Sequence, residues 1–298
     1  MELRDAGYAE ENPLAGTRYR ALRLLGAGSS SEVFDALGRD GGRYAVKVLR
    51  PIHVGARALI ARLEQEALAL ASLDHPNVVR VLDVGLTPDG RPFFVMPRLV
   101  GETLRERFSR EGAMAPDQAC ALFVGLLQGL DVAHERGIVH RDLKPQNLFL
   151  AARPRALGAS RSRFPAERCV LLDFGIAKVV HAAGDLTTGA HVLGTPRYLA
   201  PEQILGGRVD ARTDVYAAGL VLFEMLTGTA PFAVKGCVEL MRAHLESPPP
   251  RVSERVRVSR ALDHAVARAI EKRPDRRWPS ARVFAAVIER AAAREVLS

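Results

Sequence analysis

The 298-residue sequence is poor in cysteine, in aromatic residues and in long apolar runs, and each shortage narrows what it encodes. Its three cysteines, Cys120, Cys169 and Cys237, are scattered and never spaced as CxxC. That excludes a disulfide framework and a thiolate zinc site, and predicts a reducing, cytoplasmic setting. Aromatics make up only 6% of residues, so no series of stacking rings is at hand for single-stranded nucleic acid. No apolar run reaches the ~18 residues that a membrane span needs. The longest, residues 215–226, is predicted to be a buried core helix. The opening MELRDAGYAEENP is polar and carries acids, unlike a signal peptide. No internal repeat is visible. The chain is compatible with being one part of something longer.

What is present is ordinary in bulk. Hydrophobic residues make up 48% and charged residues 26%, enough for a sizeable core in one or two domains. The net charge of +8 is diffuse except in residues 151–168, AARPRALGASRSRFPAER, where five arginines face one acid. Pro, Gly, Ser and Arg mix there with little periodicity, which predicts an exposed, mobile basic insertion beside the functional cleft, either a tolerated loop without a role or a docking element for an acidic partner. Nucleic acid is not an expected partner.

The first third reads as strands around one helix. Residues 19–25, 32–38 and 43–49 are short alternating runs, and Asp40-Gly41-Gly42 is a hairpin turn. A helix is predicted from about residue 56 to 73. A strand pair at about 78–85 and 92–97 brackets Thr87-Pro88-Asp89-Gly90. From about residue 102 the texture turns helical, with segments at 118–137, 215–226, 262–271 and 281–296. Two lobes joined near residues 99–101 would leave a cleft, a common place for a ligand.

The densest chemistry is HRDLKPQN, His140 to Asn147. Asp142 can take a proton from a hydroxyl, Lys144 can neutralise a phosphoryl group and Asn147 can hold a metal ion. Phosphoryl transfer needs that equipment, because it is mostly positioning and charge stabilisation. Gly26-Ala27-Gly28-Ser29-Ser30-Ser31-Glu32-Val33 falls in the first hairpin, where glycines let backbone N–H groups approach phosphate oxygens. Taken alone it also fits a plain glycine-rich hairpin. Ala45-Val46-Lys47-Val48 puts an ammonium in an apolar strand, where it needs a partner. Glu66 lies within the apolar stripe Leu59, Leu63, Leu70, Leu73, whereas Glu64 is about 160° away around that helix. An ion pair Lys47–Glu66 is therefore expected. Asp173-Phe174-Gly175 follows the apolar strand Val170-Leu171-Leu172, and an acid at a strand end can bind a phosphate-bridging cation.

The ordered set GAGSSSEV, AVK, Glu66, HRDLKPQN, DFG, GTPRYLAPE and Asp214 resembles the protein-kinase signature, over about residues 19–290. LKPQN with GTPRYLAPE resembles the serine/threonine branch, and DFGIAK with YLAPEQ resembles its bacterial members. The resemblance implies an α+β, two-lobed fold, with a small antiparallel-sheet N-lobe carrying one main helix (about 19–99) and a larger, mainly helical C-lobe (about 100–290). Residues 1–18 would be an extension and 291–298 a tail. It implies ATP and Mg²⁺, with Mn²⁺ as an alternative, and protein substrates phosphorylated on Ser or Thr. Autophosphorylation between two copies of the chain is compatible with it.

By position, the resemblance puts Leu25, Gly26, Ala27, Gly28, Ser29, Ser30, Ser31 and Val33 over the nucleotide, with Ala45, Pro97, Leu99 and Phe149 around adenine. Lys47 would hold the α- and β-phosphates, fixed by Glu66. Asp142 would be the catalytic base and Lys144 would steady the transferred group. Asn147 and Asp173 would bind Mg²⁺. Thr195 would shape the peptide-binding loop, Glu202 would pair with Arg277, and Asp214 would anchor the catalytic loop. Arg141, Lys178 and Arg62 would converge on a phosphate at Thr187 or Thr188.

Some features depart from the family pattern. Ser31 stands at the third glycine and Pro97 where Glu is usual; proline lacks only its own N–H, so the Pro97 carbonyl and Leu99 N–H survive. Phe149 replaces a smaller aliphatic residue. Asn147 and Asp173 lie 26 residues apart, about twice the expected separation. An idle, ATP-binding scaffold of the same fold, or a small-molecule phosphotransferase, is the alternative; the extended GTPRYLAPE segment favours a protein substrate.

Overall fold

A computed structural model of the chain describes residues 12–28, 31–50, 71–152, 166–174 and 196–295. These form two compact units. The first contains residues 12–28, 31–50, 71–74 and 79–99, and the second contains 75–78, 100–152, 166–174 and 196–295.

The first unit is a five-stranded antiparallel sheet of β1 (Tyr19–Ala27), β2 (Ser31–Gly38), β3 (Arg43–Leu49), β4 (Asp83–Leu86) and β5 (Pro92–Pro97), in the order β1-β2-β3-β5-β4. Alternation sends one set of side chains to each face. Phe34, Ala36, Val46, Val48, Phe93 and Val95 share one face and bury it together with Leu14 and Tyr19. Full burial of each large apolar side chain contributes about 1.5–3 kcal/mol. Leu14 belongs to the stretch expected to be an extension, yet it is wholly buried. The β2–β3 turn closes through Gly41 at φ +81°, a conformation that strains any residue with a Cβ. The Asp40 carboxylate accepts from the Gly42 N–H at 3.0 Å.

The strand expected at residues 78–85 begins only at Asp83. Residues 75–78 belong to the second unit, where Val78 bridges in parallel to Leu171 and the Asn77 amide donates to the Cys169 carbonyl at 2.7 Å. The apolar residues at 78, 79 and 81 are buried, which is why their pattern mimics a strand. Most of the helix expected at 56–73 lies outside the described residues.

The second unit is mainly helical: α1 (Leu104–Glu111), α2 (Pro116–Glu135), α3 (Pro201–Ile204), α4 (Ala211–Thr227), α5 (Cys237–Glu246), α6 (Arg260–Ala269) and α7 (Ala281–Glu295). The apolar run at 215–226 does form a core helix, but α4 starts four residues earlier, capped by the Asp210 carboxylate on the Arg212 N–H. Every residue of α4 from Thr213 to Leu226 is buried, as expected for a helix apolar on all sides. Gly219 lets α6 approach: a Cβ there would stand 2.8 Å from Ala269 Cβ.

The same unit contains a three-stranded sheet, β6 (Gly101–Thr103), β7 (Leu148–Ala152) and β8 (Glu167–Leu171), in the order β6-β7-β8. β7 and β8 are antiparallel, with Leu148 opposite Leu171 at one end and Ala152 opposite Glu167 at the other. The ladder therefore takes residues 151–152 and 167–168 from the expected insertion, and the remainder joins the end farthest from Asn147 and Asp173. Residues 153–165 lie outside the described residues.

Candidate active site

In the first unit, the face of the sheet opposite the core carries Val33, Ala45 and Lys47. The register puts Lys47 between Val33 and Phe94, and Ala45 between Asp35 and Met96. Residues opposite one another share a face, so these form one continuous surface. β1 and β2 are joined through the glycine-rich segment, where the Gly28 N–H donates to the Ser31 carbonyl at 2.8 Å. Gly26, Ala27 and Gly28 are exposed and Leu25 is half-buried. A Cβ on Gly26 would meet no atom of the described residues within 4 Å. The missing side chain is thus no demand of internal packing there, and it leaves room for a ligand against the backbone. Pro97 ends β5 opposite Tyr44. The Arg98 guanidinium folds back and donates to the Leu99 carbonyl.

In the second unit, the loop before β7 and the turn after β8 meet at one end of the ladder. The Leu172 N–H donates to the Asn147 carbonyl at 2.8 Å, which brings Asp173 to the strand end beside Asn147. Asn147 turns its amide nitrogen onto Asp142, donating to the carbonyl at 2.8 Å and to Oδ2 at 3.1 Å. Lys144 Nζ donates to the same Oδ2 at 2.8 Å. Asp142, Lys144 and Asn147 therefore form one hydrogen-bonded group. Phe149 lies on β7 between Thr103 and Val170.

Asp214, in the first turn of α4, holds this loop from below. Its Oδ2 accepts from the His140 N–H at 2.7 Å and from His134 Nε2 at 2.7 Å, and its Oδ1 accepts from the Arg141 N–H at 2.9 Å. The carboxylate is 1% exposed. Those bonds, with Gln203 donating to the Arg141 carbonyl at 2.9 Å, hold Arg141 at φ +63°. Among the described residues Asp173 is the other non-glycine residue with positive φ, at +48°. Such conformations cost about 1–3 kcal/mol each and persist where surrounding contacts fix them.

His140 links the two halves of this group. Its ring is fully buried and packs at a 42° tilt against the Phe174 ring, centroids 4.7 Å apart. Nε2 donates to the Leu172 carbonyl at 2.8 Å, so Nδ1 is the acceptor for the Asp142 N–H at 3.3 Å. Burial pushes the imidazole pKa down, against the pull of Asp214, so the ring is neutral, as that tautomer requires. The sequence identified the motif but not this role; the adjacent histidine was its only signal.

A second polar group braces the segment after Thr195. Arg277 meets Glu202 through two 2.8 Å hydrogen bonds, and its remaining N–H groups donate to the carbonyls of Arg212, Glu271 and Lys272. Burial raises the Glu202 pKa, but the Arg277 bonds more than offset this and hold it below the usual range. Tyr198 is shared between Arg105, donating to its hydroxyl at 2.6 Å, and Glu224, which accepts from that hydroxyl.

The expected residues Ser29, Ser30, Arg62, Glu66, Lys178, Thr187, Thr188 and Thr195 lie outside the described residues. The others fall into two groups: Leu25 to Gly28, Ser31, Val33, Ala45, Lys47, Pro97 and Leu99 in the first unit, and Arg141, Asp142, Lys144, Asn147, Phe149 and Asp173 in the second.

The protein kinase domain family model matches residues 19–286, so the chain belongs to the protein kinase family. It is 36% identical over 279 residues to serine/threonine-protein kinase pkn3 of Myxococcus xanthus, covering 91% of this chain and 49% of that protein. It is 38% identical over 273 residues to serine/threonine-protein kinase PknB of Mycobacterium tuberculosis, covering 89% of this chain and 41% of that protein. The chain thus spans less than half the length of these curated relatives. Among solved structures, the PknI kinase domain of Mycobacterium tuberculosis superposes with a TM-score of 0.71 at 26% identity, covering 95% of this chain and all of that one. The antiparallel first unit and helical second unit are those of a kinase domain. Membership in the family implies the use of ATP and typically of a divalent metal ion. Among the described residues no helix is long and apolar enough to cross a membrane.

Proposed function

We propose that this chain is the catalytic part of a protein serine/threonine kinase that transfers the γ-phosphoryl group of ATP to Ser or Thr hydroxyls. The observation that carries this reading is the hydrogen-bonded group Asp142–Lys144–Asn147, held rigid by Asp214 and joined by Asp173 at the adjoining strand end. The assigned domain covers residues 19–290 with flanks 1–18 and 291–298. Buried Leu14 and the continuation of α7 to Glu295 support flanks that pack on it. The scattered cysteines support a cytoplasmic site of action.

In this reading Lys47, paired with Glu66, holds the α- and β-phosphates, under the backbone N–H groups of residues 26–31. Val33, Ala45, the Pro97 carbonyl, the Leu99 N–H and Phe149 hold adenine. The Asp142 carboxylate accepts the proton of the attacking hydroxyl as its oxygen bonds to the γ-phosphorus and the bond to the β-phosphate oxygen breaks, releasing ADP. The ammonium of Lys144, already on Asp142, stabilises charge on the transferred group. Asn147 and Asp173 suit Mg²⁺: both offer hard oxygen donors, and with its nitrogen on Asp142 the Asn147 amide directs its oxygen elsewhere. A bound Mg²⁺ would neutralise phosphate charge. Thr195 would help seat the peptide. Incubation with γ-labelled ATP and a generic basic protein tests the reading. Label is expected on Ser and Thr with the wild-type chain and not with Asp142→Asn; equal labelling by both would overturn it.

A further inference from the structure

Asp35 stands on the sheet face that carries Val33, Ala45 and Lys47. It is opposite Ala45 on β3 and opposite Arg23 on β1. A carboxylate there is unwelcome in two ways: it is 1% exposed, and it adds negative charge to a surface read as binding a polyanion. Three guanidinium groups answer it. Arg43, two residues before Ala45 on the same face, donates through Nε at 3.0 Å and through a terminal nitrogen at 2.6 Å. Arg23 donates at 3.4 Å. Arg98 stands 3.6 Å away, and it belongs to the linker that follows β5. Asp35 is thus covered by arginine side chains rather than sunk in the apolar core on the other face. Burial raises its pKa, and the hydrogen bonds and charge of Arg43, the charge of Arg98 and the hydrogen bond of Arg23 more than offset this, holding the carboxyl below its usual range.

The four groups come from β1, β2, β3 and the linker, so the carboxylate is their common point. Arg98 is the informative member. Its guanidinium reaches both Asp35 and the carbonyl of Leu99. It therefore ties the linker segment 97–99 to the strand that carries Val33. Arg23 and Arg43 are more than half exposed, whereas Arg98 is 27% exposed, so Arg98 is the more constrained.

We propose that Asp35 is a positioning residue for nucleotide binding: by holding Arg98, it fixes the linker groups Pro97 C=O and Leu99 N–H relative to Val33 and Ala45. Asp35 does not touch the nucleotide. It acts through Arg98, and three cations on one carboxylate leave the rim of the face net positive, which suits an anionic ligand. The inference rests on the reading of this face as the nucleotide site.

The test is a double-variant cycle on Asp35 and Arg98, read as ADP affinity by titration calorimetry and as KM for ATP against kcat. Arg98→Gln leaves Asp35 paired with Arg43 and so keeps the fold; Asp35→Asn removes the common point. Each single variant is expected to weaken ADP binding and raise KM by about 5–10-fold, with kcat within about 2-fold, and the double variant is expected to be no worse than either. Unchanged ADP affinity in Arg98→Gln, or losses that multiply in the double variant, would overturn the inference. So would a fall in kcat and melting temperature without a change in affinity. A wild-type chain that binds ADP but transfers no phosphate would sink the kinase reading alone, and one that binds no ADP would sink both.

Discussion

Leu148 on β7 lies directly opposite Leu171 on β8. That single pairing puts Asn147 and Asp173 at adjoining strand ends although they are 26 positions apart. An antiparallel ladder fixes its two ends independently of what connects them at the far side. The long connection is therefore attached where Ala152 meets Glu167, at the opposite end of the ladder.

It follows that the arginine-rich connection is dispensable for the chemistry. Replacing residues 153–166 with Asn-Gly, which closes a two-residue hairpin, should leave activity on a generic peptide within a few-fold. The measurement is kcat and KM beside wild type. A larger fall, with a lower melting temperature, would show that the connection packs on its unit.

The polar group on Asp142 predicts a sharp catalytic loss with little loss of fold. Asp142→Asn keeps the shape and the hydrogen-bonding capacity but cannot take a proton, and Lys47→Met removes a charge from the face opposite the core. Each should lower kcat by on the order of 10²-fold or more, because fixed charges at the reacting group supply most of the rate. Melting temperatures within a few degrees of wild type would separate this from unfolding, and near-normal turnover in either variant would count against the mechanism.

How much of this was legible in the sequence depends on the range of the interaction. Strands β1 to β3 and the α4 core were visible because period-2 alternation and an all-apolar run are local signals. The residues of HRDLKPQN were visible because their chemistry is concentrated in eight positions. Asn77 on Cys169 and Leu171, Gln203 on Arg141, and the neutral tautomer of His140 were not. Each joins residues tens of positions apart through a backbone group, and backbone groups carry no sequence signature. The run at 78–82 misled for a related reason: burial in a connection reads like burial in a strand. The positive φ of Arg141 and Asp173 was also invisible, since nothing in an Arg or Asp announces the left-handed region.

Stability should fall with acid through His244. The ring is wholly buried against the Phe232 ring, and its Nδ1 stands 2.9 Å from the Tyr216 hydroxyl. Burial, reinforced by the nearby Lys272 charge, pushes its pKa down from 6.5 to about 4. Unfolding restores the ordinary value, so between about pH 6.5 and 4 the unfolded chain binds a proton that the folded one refuses. The group's contribution is then complete above pH 6.5 and lost as pH falls toward 4, by up to about 3 kcal/mol. Melting temperatures measured from pH 7.5 to 4.5 should drop more steeply for wild type than for His244→Gln. Parallel curves would show that other groups set the acid limit.

Arg141 is exposed, and its backbone is held in the left-handed region by Asp214 and Gln203, so a cation is fixed one residue from Asp142. Among the described residues its bonded groups are all backbone, which leaves the guanidinium to meet an anion. Lys178 and Arg62 are the two further cations that the sequence offers, and Thr187 and Thr188 precede Gly194 by seven and six residues. These four lie outside the described residues. A phosphothreonine carries about −1.5 to −2 charges and three acceptor oxygens, enough to bridge such cations and order the loop. Autophosphorylation at Thr187 or Thr188 is therefore expected on incubation with Mg-ATP, with activity rising as it proceeds. Intact mass and peptide mapping over time would record it, and a rate per molecule that rises with protein concentration would mark transfer between two copies. Thr187→Ala/Thr188→Ala should stay at the initial, low rate, and Arg141→Ala should be phosphorylated without the gain. Full activity in the double threonine variant would rule out this switch and leave Arg141 to another anion.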